Sequence, residues 1–461
     1  MKLRILPLAA SLVLATRFLL AEPAPVLAAD ATKEAAPAKP AEPAKPADPV
    51  PAADAAKETG PAKPADLPPP KPIGDSVNKG LAWLAKVQNA DGGWGQGGGW
   101  RINVQEGHSG GRVEGDNVPD PSDIGNTAMA LQAFLRAGTK LDTGEHSKVA
   151  AKAAAFLLTQ LEASDDDSLY VTKVRDTQLQ SKIGTYVDTF LATQVLSDLK
   201  GLFPDPADEA RRAKLLDKIV AKIQKHQQAD GGFAGNRGWA ATLSQGLCSS
   251  SLNSAFAAGA KVDLAALEKD HVQNATGLDR STGAVAAGGA ADAGVEIYRY
   301  ASKVGGMSRF GGNNASRRGG LEEKVASATA SPTEKEQAQK EIAKIDQADA
   351  DQKVLLKQVA GKVGDQKFVK GFGNNGGEEF ISFMNIGEAL RANGGEEWKK
   401  WDETTTKTLN EAQNADGSWA GHHCITGRTF CTASALMVLM TDRIPVPAVA
   451  KATDKEKAPA P

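Results

Sequence analysis

Apolar residues recur every three or four positions along most of this chain, which is the spacing of one buried face of an α-helix. Before the first glycine-rich turn, for example, Leu81, Leu84 and Val87 follow this spacing. The stripes predict an all-α protein of about twelve helices. Eleven of these are predicted over residues 76–88, 124–135, 149–157, 183–195, 207–228, 242–258, 264–273, 291–302, 378–391, 396–413 and 428–440.

The stretch 307–361 has a different pattern. It is rich in helix-forming and charged residues but poor in large apolar ones, so it predicts an inserted, mostly solvated helical hairpin with Pro332 near its bend. A plain surface insertion and an arm that binds a partner or covers a cavity are both compatible with this composition.

A short turn recurs at three places. Gln88 is followed by Asp91, Gly92 and Trp94. The same spacing returns with Gln227 and Phe233, and with Gln413 and Trp419, and there is a weaker echo at Gln273 with Gly277. Repeated spacing of this kind predicts a repeat fold. We expect the glutamine amide and the indole to stack or hydrogen-bond where the chain reverses between neighbouring helices.

The first copy of this turn resembles the repeat of squalene–hopene and oxidosqualene cyclases, which protein prenyltransferase β subunits share in degenerate form. The matching residues are Lys79, Gly80, Trp83, Leu84, Gln88, Gly92 and Trp94. The resemblance covers residues 73–443 and implies an α/α toroid, an (α/α)6 barrel of six helix pairs in two concentric rings around a central cavity.

Outside that region the composition changes. Lys2 and Arg4 precede an apolar stretch, and small residues before Ala29 offer a cleavage site, so residues 1–28 are predicted to be a signal peptide. Residues 29–72, rich in Pro, Ala and Lys, predict a disordered linker, and residues 444–461 a disordered tail. We therefore expect a periplasmic or secreted protein with no membrane-spanning segment after cleavage. With 54 basic and 56 acidic residues, nothing indicates a nucleic-acid partner.

The catalytic groups of the families that share the repeat are missing from this sequence. The cyclases use an Asp-x-Asp-Asp acid, and no such quartet occurs here. Prenyltransferases hold zinc with an Asp-x-Cys pair, but Gly246 stands where Cys248 would need an aspartate. Triterpene cyclisation and prenyl transfer are therefore disfavoured.

One cluster could still hold a metal. His422, His423, Cys424 and Cys431 provide imidazole and thiol groups, which are ligands that zinc prefers. A Cys424–Cys431 disulfide and inert buried thiols are the alternatives.

Helix starts next to glycine-rich loops are candidates for ligand binding. Asn126 and Ser382 open helices whose exposed amides could receive an anionic or hydroxyl-rich ligand, although both could equally be caps and packing residues. The loops contain four acids that could act on a glycan, Asp116, Asp123, Glu378 and Glu379, with Trp100 as a stacking platform.

Two classes of function remain open on the sequence. The first is an exported toroid that binds a lipid, glycan or protein without catalysing a reaction. The second is an enzyme on the same fold, acting on isoprenoid-like lipids or cleaving polysaccharides. Neither requires a cofactor, although zinc fits the histidine and cysteine cluster.

Overall fold

Helix formation follows the apolar stripes of the sequence. The computed structural model describes residues 69–105, 108–112, 118–373 and 375–444, all within one compact unit, Glu58–Pro461. Helices dominate these residues, which confirms an all-α protein. They are α1 Asp75–Lys86, α2 Ile124–Arg136, α3 Ser147–Glu162, α4 Gln178–Lys182, α5 Val187–Asp198, α6 Pro206–His226, α7 Ala241–Ala257, α8 Leu264–Ala275, α9 Glu296–Ala326, α10 Pro332–Lys362, α11 Gln366–Lys370, α12 Gly377–Asn393, α13 Glu396–Ala412 and α14 Arg428–Leu439. An antiparallel pair of short strands, β1 Trp100–Gln105 and β2 His108–Arg112, lies in the first glycine-rich loop.

The helices fall into two groups by burial. In α5 every residue from Val187 to Ser197 is buried, and α2, α12 and α14 contain similar unbroken runs. In α6, by contrast, burial follows one stripe that includes Leu215, Ile219 and Ile223. A helix buried all round is enclosed by protein, whereas a striped helix covers a core with one face.

Packing contacts connect the two groups in a regular order. α2 packs against α5, α5 against α7, α7 against α9, α9 against α12 and α12 against α14, and α14 also packs against α2. Each of these helices has a partner: α3 on α2, α6 on α5, α8 on α7, α10 on α9, α13 on α12 and α1 on α14.

The recurring turn is held by bonds to backbone oxygens. After α1, Gln88 Nε2 donates to the oxygen of Gly92 (2.8 Å) and to that of Val149 in α3 (2.9 Å). Trp94 is fully buried, and its Nε1 donates to the oxygen of Leu84 (2.8 Å). The expected hydrogen bond between amide and indole is thus replaced by separate bonds from each to the main chain.

The turn after α13 repeats this geometry. Gln413 Nε2 donates to the oxygen of Gly417 (2.9 Å) and to that of Ser76 in α1 (2.8 Å). Trp419 Nε1 donates to the oxygen of Leu409 (2.7 Å). The turn after α13 therefore joins α13 to α1 in the way that the turn after α1 joins α1 to α3.

The turn after α6 keeps the glutamine link, since Gln227 Nε2 donates to the oxygen of Ala266 in α8 (3.1 Å) while Phe233 takes the place of the tryptophan. In all three turns a glycine at φ of +85° to +92° lies against the next helix. A Cβ there would come under 3.0 Å from a backbone oxygen, at Gly92 with Lys152, at Gly231 with Lys269 and at Gly417 with Lys79. Glycine is required at these positions by both conformation and space.

A fourth turn of the same form follows α8 and escaped the sequence pattern. Leu278 and Val285 form an isolated antiparallel β-bridge, as Gln227 and Phe233 do in the turn after α6. Gly283, at φ +76°, has no room for a Cβ beside a backbone oxygen of α10. The echo predicted at Gln273 lies earlier, inside α8. Loss of both the glutamine and the aromatic residue hid this copy.

The helical hairpin is present, with Pro332 as the first residue of α10 after a Ser331 cap. Its first helix differs from the prediction, because the expected separate helix over 291–302 is continuous with the start of 307–361 as α9. The hairpin is thus a pair of long helices. In this pair α9 packs on α7 and α12, and α10 packs on α9.

Two glycines lie between the helix predicted over 291–302 and the insertion predicted over 307–361. A Cβ at Gly306 would lie 2.5 Å from Ser249 Oγ in α7, and one at Gly305 would lie 3.1 Å from Asn385 Cβ in α12. These glycines therefore permit close approach of helices and do not end α9.

The predicted signal peptide (1–28), most of the linker (29–72) and nearly all of the tail (444–461) lie outside the described residues. Among the helices that are described, none combines the length and apolar character needed to cross a bilayer.

Candidate functional site

Three side chains converge where α12 begins. Glu378 and Glu379 lie in its first turn, both fully buried, and His423 lies in the loop between α13 and α14. One carboxylate oxygen from each glutamate and one ring nitrogen of the histidine lie within 4.8 Å of one another. We refer to these three residues as the Glu–Glu–His cluster.

Backbone contacts hold the histidine loop against α12. The amide of Gly377 donates to the oxygen of Ile425 (3.2 Å), and the amide of Ile425 donates to Glu378 Oε2 (3.3 Å). A Cβ at Gly376 would lie 2.5 Å from His423 Cε1. Glycine at this position therefore allows the imidazole ring to reach the carboxylates.

Two donors orient Glu379. Its Oε1 accepts hydrogen bonds from the hydroxyl of Tyr298 in α9 (2.5 Å) and from the amide of Phe372 (3.0 Å). Its Oε2 lies 3.2 Å from His423 Nε2. That is an ion-pair distance, but the atoms lack the alignment of a hydrogen bond.

Four buried polar atoms of the cluster make no hydrogen bond within the described part of the chain: Glu378 Oε1, Glu379 Oε2 and both ring nitrogens of His423. Glu379 Oε2 and His423 Nε2 still form the 3.2 Å ion pair, whereas a buried atom without any partner, as Glu378 Oε1 is among the described residues, costs about 1–3 kcal/mol. Because all four belong to side chains that converge, a bound cation would satisfy several of them at once.

The net charge of the cluster depends on which of its side chains are protonated. Burial, helped by the charge of Glu379, raises the pKa of Glu378 to about 7. The neighbouring Cys424 side chain and the Glu379 carboxylate raise the pKa of His423 to about 10. Burial and Glu379 raise the pKa of Tyr298 far above its usual value, so the phenol stays protonated and donates. Near neutral pH the cluster therefore holds an imidazolium and a half-protonated glutamate.

Aromatic rings surround the cluster on one side. The ring centroid of Trp239 lies 6.1 Å from that of Tyr298 and 5.2 Å from that of Phe372. The Phe372 ring in turn lies 5.1 Å from His423, edge to face. Tyr298 is fully buried, but Phe372 is 56% exposed, so these rings pack beside the cluster without closing it off from solvent.

A cleft of about 670 Å³ reaches this site at His422, whose ring centroid lies 5.0 Å from that of His423. Trp100, 54% exposed, lines the cleft. Trp83 also lines it, with the guanidinium of Arg428 5.1 Å from its ring centroid. A ligand in the cleft would therefore contact a residue directly next to the cluster.

Three other predicted site residues have structural contacts. Asp123 caps α2, accepting from the amide of Asn126 (2.8 Å) and from its side-chain nitrogen (2.9 Å). Ser382 Oγ donates to the oxygen of Glu378 (2.7 Å). These bonds fit the alternative in which such residues are caps and packing groups. Asp116 lies outside the described residues.

The cysteines play a smaller part than the histidine. Cys424 and Cys431 are both free thiols, so the possible disulfide is not formed in this structure. Cys431 is buried and its thiol donates to the oxygen of Ile425 (3.4 Å). Burial raises its pKa well above the usual range, which disfavours the thiolate form that binds metal.

Sequence reasoning found Glu378, Glu379 and His423 but assigned them to two separate sites, and it missed Tyr298 and Trp239. A signal was available, because helices are predicted to begin at residues 378 and 428, next to the two sets of candidates. Since α12 and α14 pack together, residues at those starts become neighbours.

No family model matches the chain, and no curated protein matches it.

Proposed function

We propose that this protein is an exported, ligand-binding α/α toroid related to the cyclase and prenyltransferase repeat proteins, and that the Glu–Glu–His cluster binds a divalent transition metal. The proposal depends on the convergence of ligand atoms from Glu378, Glu379 and His423 that are buried and make no hydrogen bond within the described part of the chain.

The order of helix contacts supports the toroid. An inner ring of α2, α5, α7, α9, α12 and α14 requires the last member to return to the first, and α14 packs against α2. An outer ring requires the same closure, and the bond from Gln413 to Ser76 is equivalent to that from Gln88 to Val149. The resemblance of residues 79–94 to the cyclase repeat points to the same architecture.

Charge balance supports a divalent cation over a monovalent one. Two carboxylates and a neutral imidazole carry two negative charges, which a divalent ion neutralises without leaving a buried net charge. Nitrogen and oxygen ligands suit zinc and its first-row neighbours, and three protein ligands leave one position open, as in catalytic zinc sites.

When bound, such an ion would supply Lewis acidity at its open position. The chain's own residues set the geometry there. Tyr298 and the Phe372 amide fix Glu379, and the Ile425 amide fixes Glu378. A ligand entering along the cleft would pass His422 on its way to the site.

Export rests on the predicted signal peptide and linker. N-terminal sequencing of the protein recovered from the cell envelope or medium should begin at Ala29, or at Glu22 if the peptidase cuts after Ala21 instead. An intact N-terminus in the cytoplasmic fraction would contradict export.

Metal binding is tested by equilibrium dialysis of the full chain against Zn²⁺, followed by elemental analysis. We expect about one zinc per chain, with affinity rising between pH 6 and 8 because the ligands must lose protons. Glu379→Gln and His423→Ala should each lower affinity at least tenfold, as expected for loss of a ligand.

Asp167→Asn is the matched control, because Asp167 is an exposed carboxylate paired only at the surface with Lys225. It should leave zinc content unchanged. Equal zinc in the native protein and in both cluster variants would remove the metal proposal while leaving the toroid untouched.

A further inference from the structure

A second cavity, of about 830 Å³, is lined by residues at the C-terminal ends of α2, α5 and α7, together with Glu388 in α12. Glu388 is ten residues beyond Glu378 on the same helix (388 − 378). About 15 Å therefore separates the two positions along the helix axis. The cavity is distinct from the Glu–Glu–His cluster.

Two arginines of the cavity wall share one carboxylate. Glu388 Oε1 lies 2.8 Å from Arg136 Nη2, and its Oε2 lies 2.5 Å from Arg309 Nη2. All three side chains are largely buried, Arg309 being the most exposed at 24%. One carboxylate between two guanidinium groups leaves one positive charge without a counter-charge in this array. Because a buried charge without a partner is costly, a bound anion would stabilise the array.

Arg309 is the member of the array that can reach an anion in the cavity. Its second bond, to Ser254 Oγ (3.2 Å), goes to a neutral acceptor. A guanidinium group has more N–H donors than these two bonds use. Arg309 therefore presents both donors and positive charge to the cavity.

The remaining ionisable groups of the wall add to the positive charge. Arg443 donates to the backbone oxygen of Lys71 (2.5 Å), which is a neutral acceptor, and Lys200 is exposed at the rim. Asp198 is the opposing group, and its Oδ2 accepts from Gln132 Nε2 (2.7 Å). The surrounding protein desolvates Asp198 and raises its pKa, which disfavours the charged carboxylate. Cations thus outnumber anions in the wall.

Two features oppose an anion beside α2 and α5. Gln132 Oε1 is an acceptor that has no donor among the described residues. The last carbonyl groups of helices carry partial negative charge, although Arg136 already donates to one of them, the oxygen of Met437 (3.2 Å). An anionic group in the cavity should therefore lie at Arg309 on α9 and away from Gln132.

The rest of the wall is largely apolar. Leu135, Leu202, Phe256 and Met437 all line the cavity. A ligand that fits must therefore present a negative charge at one end and a hydrocarbon body at the other.

We propose that this cavity binds an alkyl carboxylate, with its head group at Arg309 beside Glu388 and its chain against the apolar wall. A carboxylate can accept two parallel N–H bonds from a guanidinium group. Its single negative charge also balances the single excess charge of the array. This site does not depend on the proposed metal function.

Isothermal titration of the full chain with octanoate, octanol and octylammonium at pH 7.5 tests the proposal. These probes share one hydrocarbon body and differ in the head group. We expect octanoate to bind at least tenfold more tightly than either of the others. Equal binding of octanol would show an apolar pocket without charge recognition, and tighter binding of octylammonium would show the wrong sign. Either result, or no binding of octanoate, would overturn the proposal.

Arg309→Met removes the positive charge but keeps a long side chain. It should weaken octanoate binding at least tenfold and leave octanol binding unchanged, which a general loss of structure would not do. Unchanged octanoate binding would contradict the assignment. Lys407→Gln is the matched control, because it removes an exposed cation of α13 that does not line the cavity, and it should bind octanoate as the native protein does.

Ala392→Phe fills the cavity and leaves Arg309 in place, so it tests the site even if Arg309→Met fails to fold. It should abolish binding of octanoate and octanol alike, and native affinity for octanoate in this variant would place the ligand elsewhere and overturn the proposal. Glu379→Gln should bind octanoate normally, which separates this result from any failure of the metal site.

Discussion

The recurring turns and the Glu–Glu–His cluster are both buried and polar, yet they differ in how their polar atoms are paired. In the turns, Gln88, Gln413, Trp94 and Trp419 all donate to backbone oxygens. In the cluster, four buried atoms have no hydrogen-bond partner among the described residues. The cluster also concentrates charge on adjacent carboxylates, whereas the turns use neutral groups.

This difference in pairing predicts different effects of mutation on stability in the turns and in the cluster. A fully paired polar group stabilises the fold, so its removal should cost stability. An unpaired buried charge costs stability in the absence of a ligand, and it persists in a protein when a ligand completes it. The same kind of measurement, the free energy of unfolding, should therefore change in opposite directions in the two regions.

Trp419→Ala should have the largest effect, a loss of about 4 kcal/mol in the free energy of unfolding. The indole is fully buried, donates to Leu409 and packs against Gly80. Urea denaturation measures this loss. Trp100→Ala, at an exposed tryptophan, should cost under about 0.5 kcal/mol, and equal effects at the two positions would contradict a structural role for the turn.

Gly417→Ala should cost about 3 kcal/mol, because it adds a clash with the oxygen of Lys79 to the conformational cost at φ +91°. Gly138→Ala is a matched control, since Gly138 has φ +90° but nothing within 4 Å of an added Cβ. The control should cost about 1–2 kcal/mol. The difference between the two isolates the contact between the turn and α1, and a difference near zero would rule that contact out.

The free energy of unfolding should depend on pH because of one buried acid, Asp270, which belongs neither to the turns nor to the Glu–Glu–His cluster. Burial raises the pKa of Asp270 to about 7, against 3.8 for the free group. The folded state therefore binds its proton more tightly, so the stabilisation is full below pH 3.8 and is lost as pH rises through 7.

From pH 5 to 7.5 this group alone should lower the free energy of unfolding by about 2 kcal/mol. Asp270→Asn should flatten that fall by a similar amount, whatever its effect at a single pH. Denaturation at the two pH values measures the change, and an unchanged slope would contradict the assignment.

Glu378→Gln should have the smallest effect and the opposite sign, a gain of about 1 kcal/mol at pH 8 in the presence of a chelator. The substitution removes a buried charge but keeps an oxygen to accept from Ile425. At pH 5, where Glu378 is protonated, the gain should vanish. A loss of stability at pH 8 would mean that the carboxylate is structural.

Sequence patterns predicted the helices and the recurring turns, whose signals lie within a few consecutive residues. Helices follow the apolar stripes, and the turns at Gln88 and Gln413 each make one bond to a glycine four residues later. Their second bonds, to Val149 and Ser76, lie in helices that the pattern did not identify as partners. The copy at Leu278 was missed because it has neither the glutamine nor the aromatic residue and keeps only the contact of Gly283 with the main chain of α10.

The parts that were missed depend on distant segments. Gly305 and Gly306 lie inside α9 where α7 and α12 pack on them, and spacing along the chain does not reveal those contacts. Likewise Glu379 and His423 are 44 residues apart (423 − 379), and only the packing of α12 on α14 makes them neighbours. Tyr298 reaches Glu379 from a third helix, and no spacing along the chain reveals that bond.

The most direct test is anomalous diffraction from crystals of the full chain equilibrated with Zn²⁺, recorded at the zinc edge. The account predicts one strong peak about 2.0–2.2 Å from ligand atoms of Glu378, Glu379 and His423. The Glu379→Gln protein should show no peak there. A native crystal with zinc bound elsewhere, and none at these three side chains, would contradict the account.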